Sequence, residues 1–506
     1  MRLVFVSSHY PPNWVSGGAL VPHRIARELT RRGHEVHVFA GSVDPDRIDG
    51  ETWDERDSAG VQVRWTATTG WTDWSHPFNF ENPPLAASFL RYLQRVDPDV
   101  VHLHSLQGFG AGMVTAARSQ GIPTVVTMHD FWWFCGRQFL VAPDLHPCSI
   151  VAKAGVCPCE LGAVWRERRE AGLAGHLGMA DIVLAPSASL AEALVANGVD
   201  PSRIRVDENG MPDAARLVDS WAPSRRDGGS VRLLFAGGPH PLKGVGVLLD
   251  AVRRIGDVPG WTLDMYGFSD RDAEDVEIPA GLPVRLHPGY AADATTDVMH
   301  QHDVLVLPSL ARESYSLLCR EALAAGLPVI TSDTPGPMEV VQDGENGLVV
   351  PAGDVEALAG ALRSVIEDDA ARRALAPPPG SCPLRSVDEQ VDDLEELYKG
   401  LQAQPRGVPP APAGGLQRVL FICGIEGAPL RYRARLPAEA LALRGVRSDV
   451  RYYRSADVPA LAAQADAVVL YRVPATVQML DLISSVRARP EPVPVLYDID
   501  DLVFDP

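Results

Sequence analysis

The sequence predicts an α/β protein built from two Rossmann-like domains followed by part of a third. Three observations carry that expectation. Apolar runs of strand length alternate with amphipathic segments of helix length, the pattern of parallel sheets covered by helices. The alternation opens at residue 2 and starts again at residues 231 and 418. A chain of 506 residues is long enough for about three domains.

In order along the chain, residues 3–6 read as a buried strand, followed by a loop with Pro11, Pro12, Gly17 and Gly18 and a helix over 20–32 ended by Gly33. Strands at 35–39, 100–104, 124–128 and 182–185 complete a first domain over 1–210. A second domain over 211–375 has predicted strands at 231–236, 261–266, 284–286, 304–307 and 328–331, with a glycine-containing loop at 237–244 and a helix at 247–255. Two Pro/Gly-rich stretches, 376–383 and 404–415, bracket a short amphipathic helix at 387–401, and 376–415 reads as a linker. Residues 416–506 repeat the opening pattern, with a strand at 418–423 and a helix at 437–444 closed by Gly445. This segment is too short for a sheet of the kind begun at residue 1. If its strands at 418–423 and 467–473 lack partners, it is expected to be the least stable part of the chain.

Composition sets outer limits. With 46% hydrophobic and 22% charged residues the chain folds as an ordinary globular protein. Lys+Arg 46 against Asp+Glu 65 gives a net charge of −19, which argues against a nucleic-acid partner and allows at most peripheral membrane contact. No apolar run approaches the roughly 20 residues of a membrane span, and the opening RLVFVSSHY turns polar too early for a signal peptide. A cytoplasmic location is expected, extending to the inner face of the membrane. Seven cysteines, an odd and sparse number, argue against a disulfide framework.

The densest chemistry lies in ESYSLLCREALAAGLPV, residues 313–329. Glu313 and Glu321 stand eight apart, so in a loop that runs into a helix both carboxylates could face one ligand. Between them the free backbone N–H groups of Ser316, Leu317 and Leu318 would make an anion site suited to phosphate. The spacing alone fits equally an amphipathic helix with two solvated glutamates.

The stretch resembles the Glu-x7-Glu signature of the family 4 retaining glycosyltransferases, including a Ser four residues before the first Glu. Other pieces follow in that family's order: Gly17-Gly18, RGHEV at 32–36, DVVHLHS at 99–105, TMHDFW at 127–132, DIVLAPS at 181–187, ENG at 208–210, GGPHPLKG at 237–244 and DGENGLVVPAGD at 343–354. The resemblance implies a GT-B arrangement, two Rossmann-like domains facing a cleft, with a nucleotide-diphosphate sugar as donor and no required cofactor. It places Lys243, with Gly237 and Gly238 in its loop, at the donor diphosphate, and brings Gly17 and Gly18 to it from the other wall. It gives Glu321 the ribose hydroxyls, Glu313 the hydroxyls of the transferred sugar, His129 a place beside that sugar, and Gly289 and Tyr290 the border of the base. The family's chemistry retains the anomeric configuration without a protein nucleophile, and its acceptors are carbohydrates, lipid-linked sugars or small molecules. A sugar-nucleotide epimerase on the same fold and a non-catalytic nucleotide-sugar-binding module are the alternatives. A Rossmann dehydrogenase is disfavoured, because the first loop lacks Gly-x-Gly-x-x-Gly.

Two departures stand out. Gly238 occupies the place where many relatives carry an arginine, and Arg312 or Arg320 could replace that charge. Tyr315-Ser316 stands in place of the commoner Phe-Gly. Elsewhere, Cys135, Cys148, Cys157 and Cys159 could hold zinc, although Cys-x-Cys is not the usual zinc spacing and free thiols are the preferred reading. His102 and His104 read as strand-end residues, Trp132, Trp133 and Phe134 as core before acceptor platform, and RERRE at 166–170 as a solvated helical face. Asp498, Asp500 and Asp501 could bind a divalent cation. Residues 416–506, with Arg431 and Arg433 where Gly17-Gly18 would fall, resemble the start of a second, non-catalytic glycosyltransferase first domain.

Overall fold

The computed structural model describes the chain apart from residues 14–15, 72, 75, 153–156, 160–161, 213, 220–229, 257, 279–280, 292–293, 379, 404–415, 426, 443–445, 488, 490–492 and 500–506. Gly445, Asp500, Asp501 and the second Pro/Gly-rich stretch lie outside the described residues. Two compact units result, residues 1–406 and 407–506.

The first sheet of the first unit comprises β1 (Arg2–Ser7), β2 (Glu35–Ser42), β3 (Thr52–Arg56), β4 (Gln62–Ala67), β5 (Val100–Leu103), β6 (Thr124–Thr127), β7 (Ile182–Ala185) and β8 (Ile204–Val206). Its order is β3-β4-β2-β1-β5-β6-β7-β8, parallel except for the antiparallel pair β3 and β4. The second sheet, β9 (Val231–Ala236), β10 (Trp261–Tyr266), β11 (Val284–His287), β12 (Val304–Leu307), β13 (Val329–Ser332) and β14 (Gly347–Val350), runs β11-β10-β9-β12-β13-β14 and is parallel throughout. Central strands such as β5, β6, β12 and β13 are buried at every residue, as strands covered by helices on both faces must be.

The predicted strands are present. The sequence reading passed over β3, β4, β8 and β14. Four of these have exposed or partly exposed residues that break the apolar run: β3 is polar and mostly exposed, and β8 has only three residues.

The segment read as a linker needs a larger correction. Helix Val387–Gln402 is not a tether: Val391, Leu394, Tyr398 and Leu401 form its apolar stripe, which is buried in one cluster with Leu3, Phe5, Ile25 and Leu29 of the first domain. Ser386 and Glu389 close a capping box at its start. The Tyr398 hydroxyl meets His102 Nδ1 at 2.6 Å, and His34 Nε2 lies 3.0 Å from Glu395. The chain therefore leaves the second domain and completes the first. The two crossings run side by side, with Met211 N donating to the Arg385 carbonyl at 2.9 Å. A Cβ on Gly210 would lie 2.6 Å from the Ser386 carbonyl oxygen, so this close approach explains the glycine of the ENG motif.

In the second unit, β15 (Arg418–Cys423), β16 (Arg447–Tyr452), β17 (Ala467–Tyr471) and β18 (Val495–Asp498) form a parallel sheet in the order β16-β15-β17-β18. The condition under which this segment is expected to be the least stable, strands without partners, is not met. β15 pairs with β16 and β17, and β17 with β18, over two buried apolar clusters.

Leu394→Ala is expected to destabilise the first unit by about 3 kcal/mol through lost burial and a residual cavity. Urea unfolding that shows no loss would contradict the placement of this helix in the core.

Candidate functional site

The site residues gather at the C-terminal ends of the parallel strands, where open α/β sheets bind ligands. The loop leaving β9 carries Gly237 and Gly238 and ends at Gly244. Gly244 has φ +79°, and a Cβ there would stand 1.9 Å from the Pro308 carbonyl oxygen, so only glycine lets this turn close on the loop after β12. Leu310 N and Ala311 N donate to the Leu242 carbonyl at 2.9 and 3.2 Å and tie the two loops together.

Across that seam Lys243 Nζ contacts Glu313 Oε1 at 2.7 Å, and Ser309 Oγ donates to the same oxygen at 2.8 Å. Burial raises the Glu313 carboxyl, but the Lys243 ammonium and the two hydrogen bonds outweigh it and hold the group below its ordinary range. Glu313 is therefore an anion at neutral pH.

Helix Leu317–Ala324 follows. Ser316 precedes it with φ +58° and gives no side-chain cap, so the first N–H groups of the helix are left without that partner. A residue in this left-handed conformation is strained unless it is glycine, which accounts for the commoner glycine at the position. One turn into the helix, burial pushes the Glu321 carboxyl up to about 7 against the opposing field of Arg24. Tyr290 is raised by burial and by Glu321, so these two groups share one region. Its ring meets Tyr266 edge-on at 5.3 Å, and Gly289 beside it faces open space.

The other wall comes from the first domain. Gly17 and Gly18 are not in a loop; they are the first two residues of helix Gly17–Arg31, because the Ser16 carbonyl accepts from Ala19 N and Leu20 N at 3.0 and 2.9 Å. A Cβ on Gly17 would stand 3.5 Å from Leu317 Cδ1, and one on Gly18 3.4 Å from His129 Cβ. Ser314 Oγ donates to the His129 carbonyl at 2.6 Å. The structure thus brings Gly17, Gly18 and His129 against residues 314–317 of the second domain. His129 Nε2 lies 2.9 Å from His104 Nδ1. Burial pushes His129 down to about 4 and His102 down to about 3, so both rings are neutral at pH 7.

With this geometry in place, the relatives are informative. Residues 15–214 match the model for Glycosyltransferase Family 4, and residues 230–368 match that for Glycosyl transferases group 1. A phosphatidyl-myo-inositol mannosyltransferase of Mycolicibacterium smegmatis is 36% identical over 359 residues, 69% of this chain and 81% of the relative. The chain belongs to glycosyltransferase family 4. A second relative, a GDP-mannose-dependent alpha-mannosyltransferase of Mycobacterium tuberculosis, is 30% identical over 371 residues, 70% of this chain and 85% of the relative. Among solved structures, sucrose-phosphate synthase from Thermosynechococcus elongatus superposes with a TM-score of 0.56 at 19% identity, over 80% of this chain and 100% of that one. Anabaena HepE in complex with UDP and glucose gives 0.53 at 17%, over 79% and 99%. These two likenesses speak for the GT-B fold.

The structure also places the other residues that the sequence of this glycosyltransferase singles out. Arg320 is buried over the Tyr315 ring at 3.7 Å and paired with Glu339 at 3.0 Å. Arg312 donates to the carbonyls of Cys148 and Asp333 at 3.3 and 3.1 Å. Within RERRE, Arg169 is buried between Trp132 and Trp165 and donates to the Trp132 carbonyl, so this face is not wholly solvated. Trp132 and Trp133 are core. Cys135, Cys148, Cys157 and Cys159 are free, and among the described residues no three His, Cys, Asp or Glu side chains form a group that could hold a metal ion. Asp498 lies 3.6 Å from Arg433. Arg24, which the sequence alone does not single out, stands seven positions after Gly17 on the same helix face and lies in the field of Glu321.

A carboxyl that titrates near 7 when folded costs stability once ionised: the penalty is absent below its ordinary 4.5 and complete above 7. Glu321→Gln is therefore expected to be about 3 kcal/mol more stable than wild type at pH 8 and nearly equal to it at pH 4.5. An offset of the same size at both pH values, in urea unfolding, would refute the assignment.

Proposed function

We propose that this glycosyltransferase moves a sugar from a nucleotide-diphosphate donor to an acceptor hydroxyl with retention of the anomeric configuration. The observation that carries the reading is the Lys243–Glu313 contact of 2.7 Å, one cation and one anion side by side at the start of an uncapped helix. Lys243 and the N–H groups of Ser316, Leu317 and Leu318 would take the diphosphate as it gains charge on leaving. Gly17 and Gly18 would approach it from the facing wall, with Gly237 and Gly238 in the Lys243 loop. Glu313, kept ionised, would accept hydrogen bonds from hydroxyls of the transferred sugar, Glu321 from the ribose, and Gly289 and Tyr290 would border the base. His129, neutral, would stand beside the sugar.

In this reaction the bond between the anomeric carbon and the phosphate oxygen breaks and one to the acceptor oxygen forms on the same face. The acceptor proton passes to the departing phosphate oxygen, so neither a protein nucleophile nor a metal is assigned. Relatives named for GDP-mannose and for phosphatidyl-myo-inositol, and a neighbour solved with UDP, support a nucleotide sugar as donor and admit a lipid-linked acceptor. No helix of the described residues is long and apolar enough to cross a membrane; a cytoplasmic enzyme with at most peripheral contact fits this reading. The second unit, whose sheet order matches β2-β1-β5-β6, fits a second first-domain-like module.

Calorimetry with UDP-, GDP-, ADP- and TDP-sugars is expected to find one that binds. Lys243→Ala and Glu313→Gln should each lower transfer by about 10²-fold or more in folded protein. Binding of none of the four, or full activity of Lys243→Ala, would overturn the proposal. Turnover of the donor without any acceptor would favour an epimerase.

A further inference from the structure

We infer that Arg24, from the first-domain wall, supplies the second positive charge for the donor diphosphate, the charge missing at Gly238. The inference rests on the donor reading above and adds to it a residue outside the second domain.

Three observations lead there. Arg24 Nη1 is buried and has no hydrogen-bond partner among the described residues. A guanidinium taken out of water with a donor unpaired is unfavourable, and an anion that fits there is bound with a corresponding gain. The two arginines that could have replaced the missing charge from within the second domain already hold other partners, Arg320 on Glu339 and Tyr315, Arg312 on the carbonyls of Cys148 and Asp333. Arg24 is also placed for the task. It lies two turns after Gly17 on the same face of helix Gly17–Arg31, and Gly17 stands against Leu317. Glu321 lies one turn beyond Leu317 on the partner helix, and it is the carboxylate whose field Arg24 feels.

Arg24 therefore faces the strip between the helix start proposed for the phosphates and the carboxylate proposed for the ribose. A guanidinium there can give two parallel N–H bonds to phosphate oxygens, which the ammonium of Lys243 cannot. Because Lys243 and Arg24 come from different domains, a diphosphate held by both would bridge the cleft.

The test compares UDP, GDP, ADP and TDP with uridine, guanosine, adenosine and thymidine, using calorimetry for the diphosphates and saturation-transfer NMR at millimolar concentration for the nucleosides. Arg24→Gln is expected to weaken the preferred diphosphate at least tenfold while the matching nucleoside changes less than twofold, and Arg24→Lys should recover part of the loss. Thermal unfolding of each variant checks that it folds. Diphosphate affinity unchanged in Arg24→Gln overturns the inference and leaves the donor reading intact. Equal losses of diphosphate and nucleoside also overturn it, because Arg24 would then act through Glu321 or the fold. A wild-type protein that binds no diphosphate removes the donor reading, and this inference with it.

Discussion

The ion pair of Lys243 and Glu313 sets the terms for the second domain. A carboxylate withdrawn from water costs several kcal/mol unless it is paired and hydrogen-bonded, and Glu313 meets both conditions on one oxygen. The pair requires the loops after β9 and β12 to touch, hence β9 and β12 to be neighbours, and hence the chain to turn back in the sheet at that point. Gly244 is what allows the touch, since any side chain there would strike the Pro308 carbonyl. In the proposed function, an anion reaching Lys243 would compete with Glu313 for the ammonium, and the carboxylate would be freed for hydroxyl groups as the exchange proceeds.

The first domain has a corresponding switch at β1 and β5, where Ser8 N donates to the Ser105 carbonyl at 2.8 Å and the loops ahead of His129 converge. What holds that domain in shape arrives from the far end of the unit. Helix Val387–Gln402 covers the face of helix Gly17–Arg31 and the strands beneath it, and Tyr398 reaches His102 in the interior. His102, whose ring centroid lies 4.2 Å from that of His104, is thus backed by a residue 296 positions later in sequence. The chain passes between the two domains by side-by-side crossings at 210–211 and 385–386, with Gly210 tight against Ser386.

Much of this was readable in the sequence where the physical signal is local. Fully buried strands such as β9 and β12 appear as apolar runs because both faces are covered, and the Glu-x7-Glu spacing survives because one loop-to-helix turn holds both carboxylates. The failures have a common cause. An amphipathic stripe such as Val391, Leu394 and Tyr398 says that one face is buried but not against what, so a core helix reads as part of a linker. Arg169 looks solvated because charge usually is, yet the Trp132 ring beneath it comes from another segment, as does the Glu339 that holds Arg320. Strand β3 carries little apolar signal, since its side chains are mostly exposed at a sheet edge.

Charge ties the site to the chain as a whole. A net charge of −19 opposes an anionic ligand at long range, but salt screens that repulsion beyond about 8 Å. What remains is local: Lys243, the uncapped helix at Leu317, and Arg24 on the facing wall. On that wall burial keeps His102 and His129 neutral. In the proposed transfer, positive charge develops at the anomeric carbon as the diphosphate departs. A protonated His129 beside it would oppose that charge, whereas a neutral ring does not. The burial that stacks His129 on His104 therefore favours the same transition state that Lys243 favours by attraction at the leaving group.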